Sequence, residues 1–258
     1  MSDTYEMSEL AVSVKNITKR VSKDIYGETE LCGISFSFGK KGIHCILAPK
    51  NSGKTQIMDI LAGCDKADEG EVCVLGSAPY GNADVKKKIG YVRKDNSLYS
   101  GMTAFELMSF VGEAKKIEQG KLYRQIKEAL ELVGLDEMRN KLLVKLNEYD
   151  RKKLLLAAAL LGNPDLLLLD EPITVRMSAE HREELEEIIA MLGRIKTVIV
   201  TTDDCSIARA LGEDVVIISD GRVLAKGSFE SLDKKLAEAD DPTTLETLYN
   251  TLTGAVAE

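Results

Sequence analysis

The sequence has no tryptophan and only two histidines among 258 residues. So little imidazole excludes a histidine-rich metal centre. Long apolar runs are also missing. The longest uninterrupted one, residues 154–161, is far short of the roughly 18–20 residues that cross a bilayer. The opening MSDTYEMSEL is acidic and has no apolar segment, so no secretory leader is expected. Cysteine is sparse and unpatterned: Cys32, Cys45, Cys64, Cys73 and Cys205 include no C-x-x-C pair. That points to reduced, mostly buried thiols in a cytosolic protein. Basic residues are outnumbered, 34 against 42 acids, for a net charge of −8. Nucleic acid, whose phosphates require clustered Lys and Arg, is therefore excluded as the main partner.

What the chain does have is material for a core. With 44% hydrophobic and 29% charged residues, it can bury one large domain and is not dominated by disorder. Short β-branched runs alternate with helical patterns, which predicts an α/β fold with a mainly parallel sheet. Strands are expected at 11–17, 34–38, 43–47, 71–75, 166–170, 197–201 and 215–219, the first few forming an antiparallel edge. Leu166 to Leu169 are apolar without alternation, as in a strand covered on both faces. Residues 103–133 read as largely helical, with Leu107, Phe110 and Val111 on one face and Leu122, Ile126, Ala129, Leu130 and Val133 on another. Gly120 and Gly134 are the expected breaks, and helices are expected at 230–239 and 244–252 of the tail. The run Lys86-Lys87-Lys88 reads as a solvated face.

The strand at 43–47 leads straight into APKNSGKTQIMDILAG, and a helix follows. Strand, loop and helix in that order are the context of a phosphate-binding loop. Lys50, Asn51, Ser52, Gly53, Lys54, Thr55 and Gln56 are its candidate nucleotide contacts. Backbone N–H groups and the helix dipole would face an anion, Lys54 would neutralise the outer phosphates, and the Thr55 hydroxyl would ligate Mg2+. Ala48 replaces the usual first glycine, and Asn51 takes a place where its tolerance of left-handed backbone suits the turn. The plainer alternative is a chance GKT in a turn. Against it stands a second element: the strand LLLLDE ends in Asp170, placed to hold Mg2+ through water, and Glu171, placed to orient an attacking water.

Taken together, the chain resembles the ATP-binding subunit of ABC transporters over residues 11–227, with a tail similar to that of the ABC-2 drug-export type. VKNITKR, GISFSF, the phosphate loop, KKIGYV, GMTAFELMSF, LELVGLD, NPDLLLLDEP, VIVTT and ISDGRVLAKGSFESL stand in the family's order. The resemblance implies an α/β P-loop NTPase core at 1–95 and 160–227 with an antiparallel β edge. A helical subdomain at about 96–159 completes one domain over 1–227, before a helical tail at 228–258. It implies two subunits sandwiching two ATP molecules with Mg2+, and a membrane permease docked near residues 94–105 and the helical insertion. The location implied is cytoplasmic, peripheral to the membrane through that permease.

The resemblance also exposes departures. Where the family has a Gln touching Mg2+ and the attacking water, this chain has Lys94, preceded by Arg93. Lysine has no acceptor for a metal but can pair with a phosphate or with Glu171. The family's LSGGQ signature falls on Leu146-Asn147-Glu148-Tyr149-Asp150, so Glu148 and Asp150 would face the triphosphate of the opposite subunit. Each such contact costs about 4 kcal/mol at about 4 Å and an effective dielectric near 20. Asn147 remains a good helix N-cap, with Asp150 at N3. The turn after Glu-Pro reads Thr174-Val175-Arg176-Met177, and the switch histidine position holds Asp203. The position of the adenine-stacking aromatic holds Val21, for which Tyr26 could substitute. His44 and His181 read as structural or solvated.

The expected function is a degenerate ATP-binding subunit that binds Mg·ATP weakly and hydrolyses it slowly or not at all. It would pair with a competent second subunit, a heterodimer being favoured over a homodimer. Two alternatives stand beside it. One is an active ATPase with substituted residues, Lys94 among them. The other is a non-catalytic docking or regulatory module.

Overall fold

The computed structural model describes residues 9–20, 30–94, 101–238, 246–247 and 249. Two sheets organise the chain. A three-stranded antiparallel sheet has the order β2 (Glu30–Gly39), β1 (Leu10–Arg20), β4 (Glu69–Val74). A six-stranded sheet runs β5 (Ile89–Val92), β6 (Leu166–Asp170), β7 (Thr197–Thr202), β3 (Gly42–Leu47), β8 (Asp214–Ser219), β9 (Arg222–Ser228). It is parallel from β5 to β8, and β9 returns antiparallel to β8. The expected antiparallel edge is thus a sheet of its own, and a hairpin closes the larger one.

Strand periodicity explains the layering. Successive side chains leave a strand on opposite faces, so Leu166 and Leu168 pack with Ile46, Ile199 and Val216 against β1, β2 and α1 (Lys54–Leu61). Leu167 and Leu169 enter the opposite cluster with Cys45, Val198, Val200 and Val215. There they meet α6 (Ala179–Gly193), α7 (Cys205–Leu211) and α8 (Phe229–Glu238), supplying Ile189, Ile207 and Phe229. The unbroken leucine run feeds both cores.

A third cluster joins α3 (Ala104–Ala114), α4 (Gln119–Leu132) and part of α5 (Glu148–Leu160). Thr103 and Glu106 cap α3 reciprocally. Within the expected 103–133 helix the break comes at Lys116, not at Gly120, which lies in the first turn of α4. Lys116 is left-handed at φ 59, Ile117 N–H donates to Gly112 O at 3.0 Å, and Lys116 N–H donates to Glu113 O at 2.8 Å. This is a Schellman closure. Leu107 is buried and Val111 partly so, but Phe110 is 55% exposed. Gly134 ends α4 with φ 67, as expected.

The thiols are free but less buried than expected. Cys45 and Cys205 are buried, Cys32 and Cys73 half-buried and Cys64 exposed. His44 is buried, stacked on Phe38, with Nε2 3.1 Å from Gly39 O and from Lys41 O. Among the described residues no helix is long and apolar enough to cross a membrane. Val21, Tyr26 and most of the expected 244–252 helix fall outside the described residues, although Glu246, Thr247 and Tyr249 are helical.

Candidate functional site

The carboxyl ends of β3, β6 and β7 meet where a loop after β3 turns into α1. Ala48 N–H donates to Thr202 O at 3.0 Å, which extends the β3–β7 pairing by one residue. Asn51 is left-handed at φ 61 and Gly53 at φ 89, so the chain curls before α1 begins. Ala48 has no positive φ, and glycine is not required there. Ser52 Oγ donates to Pro49 O at 2.6 Å and fastens the curl. Lys50 and Asn51 stand exposed on the loop, and Gln56 is half-buried in the first turn of α1.

Lys54 is only 5% exposed and bends back over the loop. Its Nζ donates to Ala48 O at 2.6 Å and Pro49 O at 2.9 Å, and lies 3.2 Å from Glu171 Oε1. Burial pushes its amine below the usual lysine range, against the pull of Glu171 and Asp203. A concave loop with one buried ammonium is suited to an anion.

Asp170, 1% exposed, is held from two sides. Thr55 Oγ1 donates to Oδ2 at 2.7 Å and Thr201 Oγ1 to Oδ1 at 2.6 Å. The Thr201 oxygen also accepts Glu171 N–H at 2.9 Å. Thr55 and Asp170 thus form a hard oxygen pair that fits Mg2+, an ion bound through few protein carboxylates with phosphate and water completing its shell. Thr55 and Asp170 are the residues that would anchor the ion.

Glu171 has φ 48, a strained position for a residue with a Cβ. Its carboxylate lies between two ammonium groups: Lys54 on Oε1, and Lys94 Nζ 2.8 Å from Oε2. Burial would raise this carboxyl, but Lys94 and Lys54 outweigh that and hold it below the usual range. Lys152, from α5, donates to Glu171 O at 3.1 Å and Pro172 O at 3.4 Å. Neighbouring Arg93 is bidentate to Asp59 of α1, Nε to Oδ1 at 3.2 Å and Nη2 to Oδ2 at 3.0 Å, with Tyr91 OH 3.0 Å from the same carboxylate. Lys94 alone of the altered pair reaches Glu171.

At the start of α5, Asn147 accepts Asp150 N–H at 2.7 Å, the expected N-cap. The expectation that both acids face outward needs correction. Glu148 is exposed, whereas Asp150 is 9% exposed and turned inward because the first turn of α5 packs on the body. Beside it Tyr149 stacks on His181 at 3.9 Å, and Lys153 sits 4.9 Å above the Tyr149 ring while paired to Glu184 at 2.7 Å. In the following turn Met177 N–H donates to Thr174 O at 3.1 Å and Val175 is exposed. Asp203 follows β7, half-exposed, and its backbone oxygen accepts Tyr249 OH at 3.2 Å.

Thr201, Lys152 and Tyr249 are the contributors missed from sequence. VIVTT marked the strand that carries Thr201 but not its bridge to Asp170, the basic triplet at 151–153 held a signal for Lys152, and nothing marked Tyr249.

Residues 31–174 match the family described as ABC transporter. The chain is 28% identical over 239 residues to the sulfate/thiosulfate import ATP-binding protein CysA of Mesostigma viride, covering 91% of this chain and 65% of that protein's length. Among solved structures, the ATP-binding cassette MJ0796 in a dimeric post-hydrolysis state bound to ADP and Pi superposes with TM-score 0.74. The identity is 24%, over 84% of this chain and 98% of that one. The structure of an ATP binding subunit of an ABC transporter reaches TM-score 0.79 at 18% identity over 94% and 99% of the two chains. At those identities the likeness is one of fold.

Proposed function

The chain belongs to the ABC transporter family, and from that membership we propose that it is an ATP-binding subunit whose nucleotide site is impaired in hydrolysis. The observation that carries the impairment is the double pairing of Glu171, whose two oxygens lie 3.2 Å from Lys54 and 2.8 Å from Lys94. Lys54 would exchange its carbonyl partners for phosphate oxygens. Thr55 and Asp170 would hold Mg2+, which when bound supplies positive charge to the phosphates. Glu171 would then still face Lys94. A carboxylate held ionised by a neighbouring ammonium is a weak proton acceptor, and its Oε2 is engaged by Lys94 in the place of water. Glu148, exposed at the start of α5, adds a negative charge where a second subunit would present its triphosphate.

Two copies of this chain would place both defects in each site. A competent second subunit would confine them, which favours a heterodimer docked on a membrane permease at the cytoplasmic face. The same reading treats 1–227 as one domain, with core 1–95 and 160–227 and a helical subdomain at about 96–159, before a tail at 228–258. The separate apolar cluster of α3 and α4 supports it.

Calorimetric titration with Mg·ATP, beside phosphate release, tests the reading. Binding lost in Lys54→Ala, with wild-type turnover far below the enzyme median of about 10 s⁻¹, is the expected result. Turnover near that median would overturn the impairment. Absence of Mg·ATP binding would favour a docking module.

A further inference from the structure

The amino ends of the parallel strands border a second concavity, separated from the phosphate loop by the six-residue length of β3, roughly 20 Å. It encloses about 620 Å³, within the range of about 300–1,000 Å³ usual for small-molecule sites. Among the described residues its lining carries four lysines, Lys40, Lys41, Lys88 and Lys196, and one acid, Asp165. In a chain of net charge −8, this cationic surplus is local and opposite in sign to the whole. The lysines come from three separate turns. Lys40 and Lys41 lie between β2 and β3, Lys88 follows α2 (Ala83–Lys87), and Lys196 lies between α6 and β7.

The backbones of these turns are linked in a row. Lys41 N–H donates to Thr197 Oγ1 at 2.8 Å, Thr197 N–H to Asp165 O at 3.2 Å, and Asp165 N–H to Lys88 O at 2.9 Å. Lys196 Nζ is itself fixed, donating to Asn163 Oδ1 at 2.6 Å and Pro164 O at 2.8 Å. A frame tied in this way is preorganised, which lowers the ordering cost of binding. Cations behind helix C-termini answer the helix dipole, and that accounts for Lys88 after α2 and Lys196 after α6. Lys40 and Lys41 follow a strand, where no dipole calls for them. All four are lysines and none is arginine. Ammonium groups are compact point donors, and several of them from separate turns suit the many oxygens of linked phosphates. Beside them Ile195, 67% exposed, supplies an apolar wall.

We propose that this cavity is a second anion site, which takes a small organic diphosphate or polyphosphate: its phosphates meet Lys41, Lys88 and Lys196, and its body rests on Ile195. The site is distinct from the phosphate loop and does not depend on the nucleotide reading above. Inorganic pyrophosphate, added without metal, is the probe, and Lys54→Ala in the full chain removes the pull of the phosphate loop. Calorimetry should show saturable binding, weakened about tenfold by Lys41→Gln and again by Lys88→Gln, since each removes one charged donor. Lys121→Gln with Lys127→Gln takes the same charge from the exposed side of α4 and should change the affinity less than about twofold. Deuterium uptake by the wild-type chain reads the site without Lys54→Ala. Pyrophosphate should protect residues 39–42 and 194–197, and should protect neither when Lys41→Gln and Lys88→Gln are combined. Absence of saturable binding or of protection, an equal loss from the α4 pair, or tighter binding of citrate than of pyrophosphate would overturn the proposal.

Discussion

Lys94 lies two residues beyond Val92, and Glu171 two beyond Leu169; Val92 and Leu169 are register partners in the parallel pair β5–β6. Equal steps past a shared register point bring the two side chains together, and their charged atoms stand 2.8 Å apart. Strand pairing thus delivers an ammonium to the carboxylate.

Lys94→Gln removes that ammonium and frees Glu171 Oε2. The Glu171 carboxyl should rise towards its ordinary range, and Mg·ATP hydrolysis should increase by about tenfold or more, the lower end of what a positioned base contributes. Phosphate release measures it. Adding Glu171→Gln should erase the gain.

Thr201 serves two buried partners with one hydroxyl, Asp170 Oδ1 and Glu171 N–H. Thr201→Val leaves both short of a bond, and stability should fall by about 2–4 kcal/mol. Urea denaturation reads the loss, and Thr201→Ser should retain most of the stability.

Gly221, in the turn between β8 and β9, has φ 68 and lies against β2, where Cys32 N–H donates to its oxygen at 2.8 Å. A Cβ there would collide with the Glu30 backbone oxygen. Gly221→Ala combines strained backbone with an immovable neighbour and should cost about 3 kcal/mol or more, seen as a lowered Tm.

Lys115 donates to Ala159 O and Leu161 O, and burial pushes its amine down from 10.5 to about 8. Between those values the unfolded chain binds more protons than the folded one, so stability rises with pH. The penalty of burying the charge is fully present below pH 8 and gone above 10.5. Lys115→Met should lack this rise, on the order of 3 kcal/mol, when wild type and variant are compared by denaturation across that window.

Much of the fold could be read from the chain because local rules suffice for it. Leu166 to Leu169 announced a strand covered on both faces, Asn147 a helix start, and Asn51 a left-handed turn. Two strands escaped. The segment Ile89–Val92 has only four residues, and Arg222–Ser228 alternates exposed with half-buried positions, so neither carries a full apolar face. The separate antiparallel sheet depends on β1 pairing with both β2 and the distant β4. Lys116 breaks the helical insertion through a backbone closure that needs no glycine. Within the site, a Lys94–Glu171 pair was one of two open possibilities. The Thr201 bridge was not readable, because it follows from Asp170 and Thr201 being register partners across β6 and β7. Tyr249 is farther still in sequence, and its place depends on how the tail packs.

The Arg93 fork gives the end of β5 a mechanical role. By gripping Asp59, in the helix that carries Lys54 and Thr55, it makes β5 and the phosphate helix a single fixed post. The next residue, Lys94, ties the same strand end to Glu171 instead, so two consecutive cations join β5 to both halves of the site.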